Sequence, residues 1–369
     1  MSRNVILTIN PGTTTTRCAL FAAEGSRLSL VSEQSLGHEE IRMAEFSGIA
    51  DQLGYRSACV AAFLDQAKRP DDRLIAIAGR GGMLTPVPAG VILINDELVD
   101  FALHTPVYDH ASNLGAPLAQ AIAAPLGIPA YIVDPVSVDE LTPVARLSGF
   151  EEIPRFSFVH ALNIRACGRK LAGELGKPFD ELRAVVAHLG AGFSIATLLD
   201  GKIADSSNRM EISPFTPERA GGLPPLPLIE LCYSGKYDKP ELLKKLYGEG
   251  GVYGYLGTKD IQKIESRVAA GDAKAALVYD AMLYQIRKAI GAMASVANFE
   301  LDGIILTGGL ANSAIITDRL IESTRRIAPV SVYPGSNECL ALAEGVLRVL
   351  DGQEVPMTWP VTVGKGVGL

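Results

Sequence analysis

The run "VILTINPGTTTTRCALFA" (residues 5–22) reads as a strand, a Pro-Gly turn and a second strand, and after a turn at Glu24 and Gly25 a third strand follows in "RLSLVSEQ" (27–34). Residues 184–207 repeat the plan: strand "AVVAHL", turn "GAG", strand "FSIATLL", turn "DG", strand "KIADSS". With Asn10 set against His188, the two copies lie about half a chain apart, which is the mark of an internal duplication. Each copy has a later echo, "LIAIAGRGG" (74–82) and "GIILTGGLAN" (303–312), an apolar run ending in glycines. Helical patterns separate them, clearest at 272–299, where Leu283, Ile286, Ile290, Met293 and Ala297 recur at helical spacing and read as core. The pattern predicts an α/β protein of two related domains with a cleft between them. A boundary is expected within "SGFEEIPRFSF" (148–158), where Gly and Pro interrupt the periodicity.

The chain has 369 residues, 48% apolar and 20% charged, enough to bury a substantial core. Cysteines 18, 59, 167, 232 and 339 stand far apart, and the five histidines lack zinc-finger spacing, so neither a disulfide framework nor a structural zinc is expected. A reduced, cytoplasmic compartment is the natural reading. A net charge of -7 argues against nucleic-acid and anionic-membrane surfaces, so an anionic ligand needs a local site. No secretory signal is expected, because "NVILTI" enters a strand at once. The long apolar stretch at 119–138 is broken by Pro125, Pro129, Asp134 and Pro135, so it reads as a helix end and a buried strand, not a membrane span.

The glycine turns narrow the chemistry. A Rossmann fingerprint needs a helix after its glycines, yet "HLGAG" is followed by the β-branched "FSIATLL". A P-loop needs Ser or Thr after Gly-Lys, and here Pro178, Ile203, Tyr237 and Gly366 take that place. A nucleophile elbow fails at "GFSIA" (192–196), which lacks the last glycine. What remains is a hairpin turn with backbone N–H groups and hydroxyls, a nest for phosphate oxygens. Strand alternation suggests that Thr13 and Thr15, or the opposite pair, face the ligand. Plain strand chemistry is the competing reading, since threonine suits strands.

The ordered motifs "INPGTTTTRCALF", "GRGGMLTPVPAGV", "DHASNLGAPLA", "YIVDPVSVDELTPVARLSG", "HALNIRACGRKLA", "VVAHLGAGFSIA", "PFTPERAGGLP", "GGVYGYLGTKD", "LTGGLANS" and "PGSNECLALAEG" resemble the butyrate kinases. These are short- and branched-chain fatty-acid kinases of the acetate kinase group, and the likeness runs from about residue 5 to 350. It implies two duplicated domains of the actin, hexokinase and Hsp70 ATPase (ASKHA) fold with an interdomain cleft. The first domain is expected over 1–155, completed by 340–369, and the second, carrying the adenosine site, over 156–339. It also implies ATP, magnesium, a small carboxylic acid as substrate, and a homodimer or higher homo-oligomer.

By the same resemblance Asn10 and Glu338 orient the magnesium or its waters, and Arg80 clamps the substrate carboxylate. Asp134 matches the catalytic aspartate, and His160 and Arg219 the pair that stabilises the transferring phosphoryl group. Thr13, Thr15 and Arg17 belong to the first phosphate turn, His110 lies near the transferred phosphate, and His188, Gly190 and Gly192 form the second turn. Gly308, Gly309 and Asn312 fall on the adenosine side. Without the resemblance, Asn10 and Asp134 read as turn formers before proline, Arg219 as a surface charge and His160 as a core or capping histidine.

The chain departs from the family at three places. Ala191 stands for the middle glycine of a His-Leu-Gly-Gly-Gly run, a change costing about 1 kcal/mol if positive φ is required. "NRMEISP" (208–214) lacks the glycines usual before Phe215 and carries its acid at Glu211. Arg17 replaces a lysine. An acetate or propionate kinase, or a nucleotide-binding sensor of the same fold without turnover, stay open as alternatives.

Overall fold

β1 (Asn4–Pro11) is buried from Val5 to its end, residue after residue, as expected of a strand covered on both faces. It hydrogen-bonds antiparallel to β2 (Thr15–Glu24), which pairs antiparallel with β3 (Arg27–Gly37), while β4 (Arg73–Arg80) runs parallel on its other side. β5 (Val91–Leu93) and β6 (Ala130–Val133) follow. The second half holds β7 (Ala184–Leu189), β8 (Phe193–Leu199), β9 (Lys202–Ser207), β10 (Gly303–Gly308) and β11 (Val330–Pro334); β12 (Met357–Thr358) comes last. This computed structural model describes residues 3–39, 43, 45–207 and 213–361.

Among the described residues there are two sheets, in the orders β12-β5-β6-β4-β1-β2-β3 and β11-β10-β7-β8-β9. Setting β1 against β7, each begins an antiparallel three-strand meander, and on its other side the sheet continues with two parallel strands, β4 then β6 in one sheet, β10 then β11 in the other. The duplication expected from the glycine turns is therefore a duplication of topology.

The chain divides into two compact units, one of residues 1–140, 160–163 and 337–369, the other of residues 141–159 and 164–336. Residues 141–155, expected in the first domain, fold with the second. Thr142 donates its N–H to Ala204 O at 3.0 Å, and Arg155 Nη2 reaches Asp205 Oδ1 and Ser206 O, both at 2.9 Å. The interruption by Gly and Pro at 148–158 falls inside the 141–159 segment of that unit, exposed over 148–154 and buried at Ser157 and Phe158.

In the first unit the helices Gly115–Ala123 and Glu338–Leu350 both lie on β1, β4 and β6, which explains the unbroken burial of those strands. Gly79 and Gly115 let the first of these approach. A methyl on Gly79 would overlap the carbonyl of Gly115, and one on Gly115 would overlap that of Arg80. In the second unit Leu283, Ile286, Ile290, Met293 and Ala297 are buried as expected, and the helix Ala273–Val296 lies against β7, β8 and β9. Among the described residues, no helix is long and apolar enough to cross a membrane.

Candidate functional site

Parallel pairing aligns Ile9 with Gly79 and Arg80 with Val133, so the next residues, Asn10, Arg80 and Asp134, emerge together at the carboxyl end of the sheet. Ligands of open α/β sheets gather at that end. Glu338 begins the helix Glu338–Leu350, where the helix dipole favours a carboxylate. Asn10 Nδ2 donates to Glu338 Oε2 at 2.5 Å, and Arg80 Nη1 donates to Asn10 Oδ1 at 3.1 Å and to Glu338 Oε2 at 3.2 Å. One cleft of the first unit is lined by Arg80, Gly81, Asp134, Val136, His160, Ala161, Leu162 and Glu338.

Asp134 is 4% exposed and has φ of +39°, in the left-handed region that a non-glycine residue before proline seldom adopts. Such backbone costs of order 1–3 kcal/mol and clusters at functional sites. Its Oδ1 accepts the Gly90 N–H at 2.7 Å, and its own N–H donates to Gly90 O at 2.9 Å, so the strained conformation is held from both sides. His160 directly precedes the helix Ala161–Leu175 and contributes to the same cleft.

The Thr13–Thr16 run joins β1 to β2. Gly12 N donates to Thr15 O at 2.7 Å, closing the turn. Thr13, Thr14 and Thr15 are all exposed and Thr16 is buried, so the expected alternation begins only once β2 does. Arg17 pairs across the strands with Asn10, which puts both on one face, and its Nε lies 3.9 Å from Glu33 Oε1. His110 has a local task. Its Nδ1 accepts the Ser112 N–H at 3.1 Å and caps the short turn Ala111–Leu114 that leads into the helix beside Arg80.

In the second unit, His188 and Ser194 face each other across the β7–β8 hairpin, and Thr307 of β10 aligns with His188 from the other side. Gly192 leaves room for Arg219, since a methyl there would overlap the guanidinium. Arg219 sits in a tight turn in which Thr216 N donates to Arg219 O at 2.9 Å and Arg219 N to Thr216 Oγ1 at 3.0 Å. The same hydroxyl donates to Ala191 O at 2.7 Å, tying the Arg219 turn to the glycine turn. Ala191 is exposed and is not among the residues with positive φ, so the expected penalty for losing glycine there does not arise. Gly308 has φ of +89° and lies against the Leu189 backbone, and Asn312 Nδ2 donates to Gly309 O at 2.9 Å. Residues 208–212, which include Glu211, lie outside the described residues.

Among the described residues, no group of three or more His, Cys, Asp or Glu side chains forms a metal cage. The Asn10 and Glu338 oxygens suit magnesium all the same, because that ion commonly takes one or two protein carboxylates and completes its shell with phosphate oxygens and water.

Sequence reasoning missed Arg56, His38 and Thr216. Arg56 shares the helix Leu53–Ala67 with buried Val60, Phe63 and Leu64, so a cation on the apolar stripe was the available signal. Nothing local marked Thr216, whose bonds join segments 25 residues apart.

A sequence model of the acetokinase family matches residues 151–333. A protein of Caldanaerobacter subterraneus subsp. tengcongensis named "Probable butyrate kinase 2" is 42% identical over 351 residues, covering 95% of this chain and 98% of that protein. "Probable butyrate kinase" of Listeria innocua is 43% identical over 350 residues, again 95% and 98%. Among solved structures, acetate kinase from Porphyromonas gingivalis superposes with a TM-score of 0.74 at 18% identity, over 95% of this chain and 100% of that one. A propionate kinase from Francisella tularensis gives 0.68 at 20% identity, over 94% and 99%. These likenesses carry the two-domain ASKHA fold. The identity shared along nearly the full length of both bacterial proteins means that this chain belongs to the butyrate kinases, carboxylate kinases of the acetokinase family.

Proposed function

We propose that this chain uses ATP to phosphorylate the carboxylate of a short- or branched-chain fatty acid, butyrate-like in size, giving an acyl phosphate and ADP reversibly. A fatty-acid carboxyl group ionises at about pH 4–5, so near neutrality the nucleophile is already formed and no general base is needed. A carboxylate oxygen forms the bond to the γ-phosphorus as the bond to the β–γ bridging oxygen breaks, and that electron pair leaves on ADP. What the protein must supply is position and charge.

The observation that carries the proposal is the convergence of Asn10, Arg80 and Glu338 at one sheet end, with Asp134 and His160 on the same cleft. Arg80 takes the substrate carboxylate in place of Glu338. His160 and Arg219 donate to the phosphoryl oxygens, and Asp134 orients a water or the substrate. The turns at Gly12–Thr15 and 188–192 receive phosphate oxygens, and Gly308, Gly309 and Asn312 of the second unit receive adenosine. A magnesium ion bound with the nucleotide supplies neutralisation of phosphate charge, and Asn10 and Glu338 are the residues that would hold it. A reducing, cytoplasmic setting belongs to the same reading and rests on widely spaced cysteines with no Cys-x-x-Cys pair.

The test is hydroxylamine trapping of acyl phosphate across acids of two to six carbons, with and without chelator. Hydroxamate from four- and five-carbon acids, lost on chelation, is the expected result. ATP binding without hydroxamate from any acid would leave a non-catalytic nucleotide sensor, and preference for acetate or propionate would move the chain to that specificity.

A further inference from the structure

Arg56 is completely buried, and its guanidinium embraces the turn between β1 and β2. Nη1 donates to Gly12 O at 2.8 Å and to Thr16 Oγ1 at 3.1 Å, Nη2 donates to Thr13 O at 2.9 Å, and Nε donates to Gln52 Oε1 at 3.0 Å. Among the described residues it has no carboxylate partner. Burial lowers its basicity, with smaller opposing contributions from Tyr55 and Cys59. Beside it, buried His38 shares Thr16 Oγ1, with Nε2 at 2.8 Å, and stands edge-on to Tyr55.

This geometry has two consequences. In a trans peptide the C=O and the next residue's N–H point in opposite directions. Once Gly12 O and Thr13 O are drawn to Arg56, the N–H groups of Thr13 and Thr14 aim away from it, on a turn whose Thr13 and Thr14 are exposed. Successive N–H groups turned the same way are an anion nest. The second consequence is electrostatic. A buried cation without a counter-ion is costly, and its field is little screened, so it raises the potential on the far side of the turn where an anion would sit.

We infer that Arg56 is a positioning residue for the nucleotide's polyphosphate: it fixes the Gly12–Thr15 turn with the Thr13 and Thr14 N–H groups outward, and the terminal phosphates supply a counter-charge that none of the described residues provides. The inference rests on reading that turn as a phosphate site. It gives the threonine run a reason for its order, with Thr16 facing inward to the guanidinium and Thr13 to Thr15 left exposed.

The test compares binding of ATP, ADP, AMP and adenosine by titration calorimetry to the wild type, Arg56→Met and Arg56→Lys, with circular dichroism as the check on folding. Loss of a buried, charge-assisted contact predicts that Arg56→Met weakens ATP and ADP at least about tenfold while adenosine stays within about twofold. Arg56→Lys keeps the charge, loses the fork and falls between. Wild-type ATP affinity in either variant, or an equal loss of adenosine and ATP, would overturn the role. If Arg56→Met does not fold, the comparison of ATP with adenosine in Arg56→Lys decides the question alone. Failure of the wild type to bind ATP would instead overturn the proposed function.

Discussion

Arg80 Nη1 and Asn10 Nδ2 share one acceptor, Glu338 Oε2, at 3.2 and 2.5 Å. Arg80 thus already holds a carboxylate, and an incoming acid would exchange with it. Arg80→Ala is expected to lower kcat/KM for the acid by about 10²–10³-fold, with the KM for ATP changing much less. Steady-state kinetics with each substrate varied checks this. Equal loss for both substrates would point to a structural role.

Asp134→Asn keeps an oxygen for the Gly90 N–H and tolerates the left-handed backbone, but removes the charge. Turnover should fall about 100-fold or more while the melting temperature stays within a few degrees. Wild-type turnover would make Asp134 a turn residue only.

Gly192→Ala places a methyl where the Arg219 guanidinium lies, so turnover should drop by about tenfold or more as Arg219 is displaced. Ala191→Gly should leave turnover within about twofold and cost only a few tenths to 1 kcal/mol of stability, because Ala191 has no positive φ to relieve. The pair, measured side by side, separates the crowded position from the permissive one.

Burial, with a smaller contribution from the Arg56 charge, lowers the His38 pKa from 6.5 to about 4. The facing groups are Arg56, Thr16 and Tyr55. Between those pH values the unfolded chain binds the proton and the folded chain does not, so stability is complete above pH 6.5 and declines as pH falls toward 4. Chemical denaturation of wild type and His38→Gln should give a stability difference that shrinks across that window as pH falls. A difference independent of pH would contradict a neutral, buried His38.

The duplication was legible because its signal is local. Strand alternation and glycine turns recur in "VILTINPGTT" and "AVVAHLGAG", and β1, β2, β7 and β8 form where those patterns stand. Asn10, Arg80 and Asp134 were legible through the ordered motifs, and parallel register explains why residues so far apart emerge side by side. The place of Arg56 on an apolar helix stripe was legible, but its partners were not. A helical arginine ordinarily reads as solvated, and only the fold brings the Gly12 and Thr13 carbonyls to it. The unit boundary was misread for a similar reason, since the bonds of Thr142 and Arg155 that tie 141–159 to β9 are long-range.

The central claim is that a carboxylate oxygen attacks the γ-phosphorus. Supplying butyrate labelled with ¹⁸O in its carboxylate, with ATP and hydroxylamine, tests it directly. Hydroxylamine attacks the carbonyl carbon of the acyl phosphate and releases phosphate that keeps the bridging oxygen. The account predicts one ¹⁸O per released phosphate, read by the isotope shift in ³¹P NMR. Phosphate formed without label, with ATP consumed, would contradict it and assign the attack to water.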